Sequence, residues 1–181
     1  MNKIQKNQFL SVILARKNSK RIKNKNLKKV NGKSLIENTI LFAKKFEKIS
    51  TILISTDSDK IYKIAKKFKS IIFYTRTKKF SGAKSQSLVL LKKIIRWYES
   101  NYKIKLRGVI LLQPTTPFRK KDLLNKVIKK YINDKSKFNY FSVSQDHLKN
   151  NITIYKNSLI KISKKRDHNC YINGSFYLFN K

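Results

Sequence analysis

The chain is poor in several residues that usually carry chemistry. Among its 181 residues are one Cys, two His, two Pro, four Gly and nine acids. A single cysteine, Cys170, excludes an internal disulfide and leaves no partner for a Cys metal motif. His147 and His168 lack the spacing of a metal pair, and no Ser, His and Asp set suggests acyl transfer. Of the acids, only Asp57 and Asp59 fall near the pocket expected below, and neither reads as a metal ligand. No basic-then-apolar signal segment opens the chain, and no uncharged stretch approaches the ~18 residues of a membrane span. The expectation is a cytoplasmic protein with no membrane partner.

Cations, by contrast, are abundant: 44 Lys plus Arg give a formal charge of +35. Such a balance is an electrostatic footprint for nucleic acid or an anionic surface. Here 37 of the 44 are Lys, spread along every segment and accompanied by many Asn and Ile. That is the output of an AT-rich coding sequence, so nucleic acid is not read as the partner. The seven Arg say more, because a planar fork suits carboxylate or phosphate. Arg16, Arg76 and Arg119 all fall in expected post-strand loops.

A hydrophobic content of 40% with 21 Phe, Trp and Tyr argues for a folded core. The length suits one domain over 1–181. Phe9 to Ala15 reads as a buried strand emptying into a loop that holds Arg16, Ser19, Lys20, Lys25 and Asn26. Asn31-Gly32 is a turn, and Ser34-Leu-Ile-Glu37 has capping-box spacing. The helix that follows should bury Leu35, Ile36, Thr39, Ile40, Ala43 and Phe46. Gly32-Lys33-Ser34 is not a Walker loop, since position 27 is Leu where that loop needs Gly.

Strand, polar loop and helix then repeat. Thr51 to Ser55 precedes a helix with Ile61, Ile64, Ala65 and Phe68 on one face. Ile71 to Tyr74 precedes one from about Ser85, with Leu88, Leu91, Ile94, Ile95 and Tyr98 inward. Val109 to Leu112 ends in Gln113-Pro-Thr-Thr-Pro-Phe-Arg119, a loop stiffened by the only two prolines, before a helix with Leu123, Leu124, Val127, Ile128 and Tyr131. Phe138 to Ser144 is a fifth strand, and 150–162 a hairpin turning at Lys156-Asn157. Asn173-Gly174 is a turn before a strand from Ser175 to Phe179. This alternation predicts an α/β fold: a three-layer sandwich on a mostly parallel sheet, with a late β-hairpin insertion.

The strand-end loops gather Arg16, Ser19, Lys25, Asn26, Asp57, Arg76, Ser85, Ser87, Gln113, Thr115, Thr116 and Arg119. That is a cationic, hydroxyl-rich pocket, suited to phosphoryl or nucleotidyl transfer, which depends on positioning and charge neutralisation. The motifs Val12-Ile-Leu-Ala-Arg-Lys-Asn-Ser-Lys20, Lys25-Asn-Leu27, Ser55-Thr-Asp57, Leu111-Leu-Gln-Pro-Thr-Thr-Pro-Phe-Arg119 and Asn173-Gly174, in this order, resemble the acylneuraminate cytidylyltransferases. These are the CMP-sialic acid synthetases and their relatives for legionaminic and pseudaminic acid.

The resemblance implies a nucleotide-diphospho-sugar transferase-like, Rossmann-like fold and transfer of CMP from CTP to a sialic-acid-like nonulosonic acid for surface glycans. It places Arg16, Ser19, Lys25 and Asn26 on the triphosphate, with Lys25 facing the leaving pyrophosphate. Arg76, Ser85 and Ser87 lie by the cytidine. Gln113, with Thr115 and Arg119, meets the acidic nine-carbon sugar. It makes Arg16, Lys25 and Gln113 the catalytic set, and implies Mg²⁺ and a homodimer.

The chain departs from the family at Arg21, where Gly is usual, at Gly82-Ala83-Lys84, where Ser-Asp-Thr is usual, and at Tyr171, where Arg is common. Family members also continue past the Asn-Gly strand into a segment whose Asp-x-Asp pair binds Mg²⁺. That segment is expected to be missing here, so no metal ligand is assigned. A fragment, a partner-completed enzyme and a degenerate binder all fit that expectation. Two further readings stand beside the enzyme: an inactive nucleotide or sugar binder, and a basic nucleic-acid-binding protein.

Overall fold

The computed structural model describes residues 9–17, 22–77, 80, 87–133, 139–145, 152–154, 160–162 and 170–180. In chain order, β1 is Phe9–Leu14, followed by a 3₁₀ turn Lys25–Leu27, β2 Lys29–Val30, β3 Lys33–Ser34 and helix α1 Leu35–Ala43. Then come β4 Ile49–Thr56, α2 Asp59–Lys66, β5 Ile71–Thr75, α3 Ser87–Tyr102, β6 Gly108–Leu112 and α4 Lys121–Asn133. The chain continues with β7 Tyr140–Gln145, β8 Ile152–Ile154, β9 Ile160–Ile162 and β10 Cys170–Phe179.

Six strands form one sheet in the order β5-β4-β1-β6-β10-β7. The β5/β4, β4/β1 and β1/β6 pairs are parallel, while β10 runs antiparallel to both β6 and β7. The sheet is therefore mostly parallel, as the alternating pattern predicts. Its central strands are largely apolar because both faces are covered. Phe9, Ile13, Ile52, Ile54, Ile110 and Leu112 point to the side packed by α1, α2 and α4. Leu10, Val12, Leu53, Val109 and Leu111 point to the side packed by α3. The result is a three-layer α/β/α arrangement.

Local signals hold where their chemistry is local. Ser34 caps α1: its hydroxyl accepts from the Glu37 N–H at 3.3 Å, and Glu37 accepts from the Ser34 N–H at 2.8 Å. Asn31 and Gly32 both have positive φ, +52° and +76°, so they turn β2 into β3 as a two-residue hairpin of the type that demands such torsions. The Asn38 amide ties that hairpin to α1 by donating to the Val30 and Lys33 carbonyls. The late hairpin is present as β8 paired with β9. Its turn at Lys156-Asn157, and Phe138, lie outside the described residues.

Two expectations need correction. Leu88 is 58% exposed, while Leu90, Leu91, Ile94 and Tyr98 form the buried stripe of α3. At 100° per residue Leu88 falls well off the centre of that stripe, because Leu90 competes for the same first turn. Asn173-Gly174 is not a turn between elements but an irregularity inside the single strand β10, where the register with β7 shifts between Ile172 and Tyr177. Gly174 takes φ +69° there, and Asn173 Oδ1 accepts from the Ser142 hydroxyl at 2.6 Å and from the Ser175 N–H at 3.0 Å. The local Asn bonds supply a bulge where a turn would have broken the strand.

Two stability effects follow. Ser34→Ala should lower unfolding free energy by about 1 kcal/mol in urea titration. The Ser34 hydroxyl, then its N–H, hold the Glu37 carboxyl below its ordinary value of 4.5. A lowered folded-state value means stability that is present above the unfolded value and lost as pH falls through the folded one. The Ser34→Ala deficit should therefore be full above pH ~4.5 and shrink in acid. Ser11, fully buried in β1, carries a hydroxyl oxygen without a hydrogen-bond partner. Ser11→Ala should raise stability by about 1 kcal/mol in the same assay, and a loss of that size would contradict the assignment.

Candidate active site

β1 and β6 lie side by side with Ile13 opposite Leu112, and the chain leaves them in opposite directions, β1 toward β4 and β6 toward β10. Such a switch point opens a crevice beyond the carboxyl ends of the strands. A cavity of about 160 Å³ occupies it, floored by Leu14 and Leu111 and walled by Arg16, Lys25 and Asn26 on one side and Gln113, Pro114 and Thr115 on the other. Ser87, the first residue of α3, closes a third side. No carboxylate is among these lining residues.

The Arg16, Lys25 and Asn26 wall is built from short-range structure. Asn24 adopts a left-handed φ of +54° and starts the 3₁₀ turn that carries Lys25 and Asn26. Leu27, partly buried against the core, anchors it. Asn26 is only 7% exposed and its side chain donates to the Arg16 carbonyl at 3.1 Å. Asn26 thus lines the cavity, but the donor seen here serves the loop backbone.

The opposite wall is tied to β10. The Thr116 N–H bonds to the Gln113 carbonyl at 3.1 Å and its hydroxyl to the Asn173 carbonyl at 3.3 Å. Gly174 lets the Gln113 side chain lie against the strand: a Cβ there would stand 2.9 Å from Gln113 Oε1. The β10 bulge and the proline-bracketed loop are therefore one packed unit.

Of the expected site residues, Arg16, Lys25, Asn26, Ser87, Gln113 and Thr115 converge on the cavity. Ser19 and Ser85 lie outside the described residues. Arg76 and Arg119 are described but do not line the cavity. Arg76 is buried, donating to Ser55 Oγ at 3.3 Å and to the Phe80 carbonyl at 3.4 Å. Burial lowers its guanidinium from the ordinary arginine value, Asp57 raises it and Arg16 lowers it further. Arg119 faces inward because its donors are taken by the Ser175 carbonyl at 2.8 Å, the Gln113 carbonyl and Thr39 Oγ1 at 3.5 Å. It also sits over the Phe42 ring. Burial pushes it down to about 10, which still leaves it charged at neutral pH. Arg119 therefore braces the Gln113 loop.

Sequence reasoning missed Gly174 as a contact of Gln113 and Asn26 as a loop brace. The Asn-Gly pair was the only signal for the former. None of the described helices is long and apolar enough to cross a membrane.

Residues 10–181 match the family model described as cytidylyltransferase. The chain is 30% identical over 110 residues to a CMP-N,N'-diacetyllegionaminic acid synthase of Campylobacter jejuni, covering 61% of this chain and 47% of that one. It is 31% identical over 129 residues to a pseudaminic acid cytidylyltransferase of the same species, covering 71% and 55%. The chain spans about half the length of the curated relatives it matches. A solved CMP:2-keto-3-deoxy-manno-octonic acid synthetase complexed with CTP shares the fold, with TM-score 0.68 at 14% identity over 96% of this chain and 74% of that one.

Gly174→Ala should disturb the Gln113 wall without unfolding the sheet. The positive φ and the 2.9 Å approach to Gln113 predict a loss of about 1–3 kcal/mol in urea titration and a shifted Gln113 side-chain amide resonance. An unmoved resonance would separate the two segments.

Proposed function

The chain belongs to the cytidylyltransferase family, and from that premise we propose that it transfers CMP from CTP to the anomeric hydroxyl of a sialic-acid-like nonulosonic acid, releasing pyrophosphate. The observation that carries this reading is the convergence of Arg16, Lys25, Asn26, Ser87, Gln113 and Thr115 on one cavity at the switch point, with no carboxylate among its described lining residues. A site with cations and no carboxylate suits a triphosphate and an acidic sugar together.

In this reading Arg16 and Lys25 donate to the triphosphate, and Lys25 neutralises charge that grows on the leaving pyrophosphate. Gln113, braced by Gly174 and Arg119, holds the sugar on the other wall with Thr115 beside it. Ser87 faces the cytidine side. The sugar hydroxyl oxygen bonds to the α-phosphorus, the bond from that phosphorus to the bridging oxygen breaks, and pyrophosphate departs with the electron pair. The hydroxyl proton passes to water. Catalysis here is positioning and electrostatics. Assembly as a homodimer belongs to the same proposal and would be read by sedimentation.

Mg²⁺, which the resemblance implies, does not fit the donor set described. The described lining has no carboxylate, Asp57 accepts from the Lys17 N–H, and the described residues hold no cluster of three or more His, Cys, Asp or Glu. No step above depends on a protein-held metal. A second reading is a binder that holds CTP without turning it over.

Calorimetric titration with CTP should show binding, and Lys25→Ala should weaken it about tenfold, roughly 1.4 kcal/mol. Pyrophosphate release with legionaminic, pseudaminic or sialic acid then separates enzyme from binder. Absence of CTP binding by the wild-type chain would sink both.

A further inference from the structure

One peptide group in the cavity wall is gripped at both ends. The Arg16 carbonyl accepts from Asn26 Nδ2 at 3.1 Å, and the Lys17 N–H donates to Asp57 Oδ1 at 2.6 Å. These two groups belong to the same planar unit and point in opposite directions. Holding that plane sets ψ of Arg16 and φ of Lys17, the two soft torsions that flank it. Arg16 is the cation that β1 delivers to the cavity, so its aim depends on this plane.

Both grips are themselves fixed. Asn26 is buried within its 3₁₀ turn. Asp57 sits between Thr56, whose hydroxyl accepts from the Ser58 N–H at 3.1 Å, and Ser58, whose hydroxyl caps α2 by accepting from the Ile61 N–H at 3.4 Å. The Ala15 N–H bonds to the Ser55 carbonyl at 2.9 Å, which keeps the exits of β1 and β4 in step. The Asp57 carboxylate therefore meets the loop without a search.

We propose that Asp57 is a positioning residue for the nucleotide site: its carboxylate, opposed by Asn26, locks the Arg16–Lys17 peptide and so aims Arg16 into the cavity. The inference rests on the nucleotide reading given above. An ionised acceptor makes a shorter and stronger bond to a backbone N–H than a neutral one. A carboxylate beside a polyanion site would ordinarily be unfavourable. Here two guanidiniums offset it, since Arg76 feels both the attraction of Asp57 and the repulsion of Arg16. Asp57 thus lets two like charges from separate loops stand near each other while it orders the Arg16–Lys17 backbone.

The test uses the full chain, ¹⁵N-labelled, as wild type, Asp57→Asn and Asp57→Ala. In the wild type the Lys17 amide proton should lie downfield, as a short bond to a carboxylate requires. In Asp57→Ala it should shift upfield, with Asp57→Asn between, because the amide keeps an oxygen acceptor but loses the charge. CTP affinity should fall about tenfold in Asp57→Ala and about threefold in Asp57→Asn, equally with and without Mg²⁺. A Lys17 amide unmoved by either substitution overturns the proposal, as does wild-type CTP affinity in Asp57→Ala. A loss of affinity seen only with Mg²⁺ also overturns it, since Asp57 would then be a metal ligand. A wild-type chain that binds no CTP while its Lys17 amide still follows Asp57 sinks the nucleotide reading and leaves the peptide clamp standing.

Discussion

The site depends on one pairing, the parallel contact of β1 and β6 that sets Ile13 beside Leu112. Because the chain winds away from that pair in opposite directions, no helix can close over both strand ends, and a crevice remains. Each described residue that lines it comes from the end of one of these strands, from the segment leaving it or from the start of α3. The six-stranded sheet and its two apolar faces hold this pair in register, and packing on both sides leaves it little freedom to shift.

Scarcity of acid shapes the rest. With nine acids against 44 cations, most buried arginine chemistry has to be satisfied by oxygens that carry no charge. Arg119 is held by two carbonyls, a threonine hydroxyl and the Phe42 ring, and Arg76 by a serine hydroxyl and a carbonyl. Carbonyl acceptors satisfy the donors without quenching the charge, so both guanidiniums contribute positive potential close to the cavity while staying off its lining. The Asp57 carboxylate accepts from a backbone N–H, that of Lys17.

Much of this was legible beforehand. The capping box at Ser34 and Glu37 and the Asn31-Gly32 turn involve neighbours in the chain, so spacing alone reveals them. The buried strands announce themselves as apolar runs, and the polar residues just past their ends follow from where those runs stop. Arg16, Lys25, Asn26, Ser87, Gln113 and Thr115 do meet at one cavity. Arg76 and Arg119 stand off the described lining, tied to neighbouring backbone and hydroxyl oxygens, because a loop arginine in sequence shows its charge but not its direction. Leu88 was misread because one extra apolar residue in the first turn of α3 allows two phases of the same helix.

The sequence by itself determined the element order, the apolar periodicity, the caps, the stiff Gln113 to Arg119 loop and the motif set that marks the family. Those are properties of neighbours, and short-range sterics and hydrogen bonding decide them. Only the tertiary structure decided that β6 sits next to β1, that Gly174 of β10 makes room for Gln113, and that Asn26 and Asp57 grip the two ends of one peptide beside Arg16. Those contacts join residues far apart in the chain, and the packing of the sheet between its two helical layers is what brings them within reach.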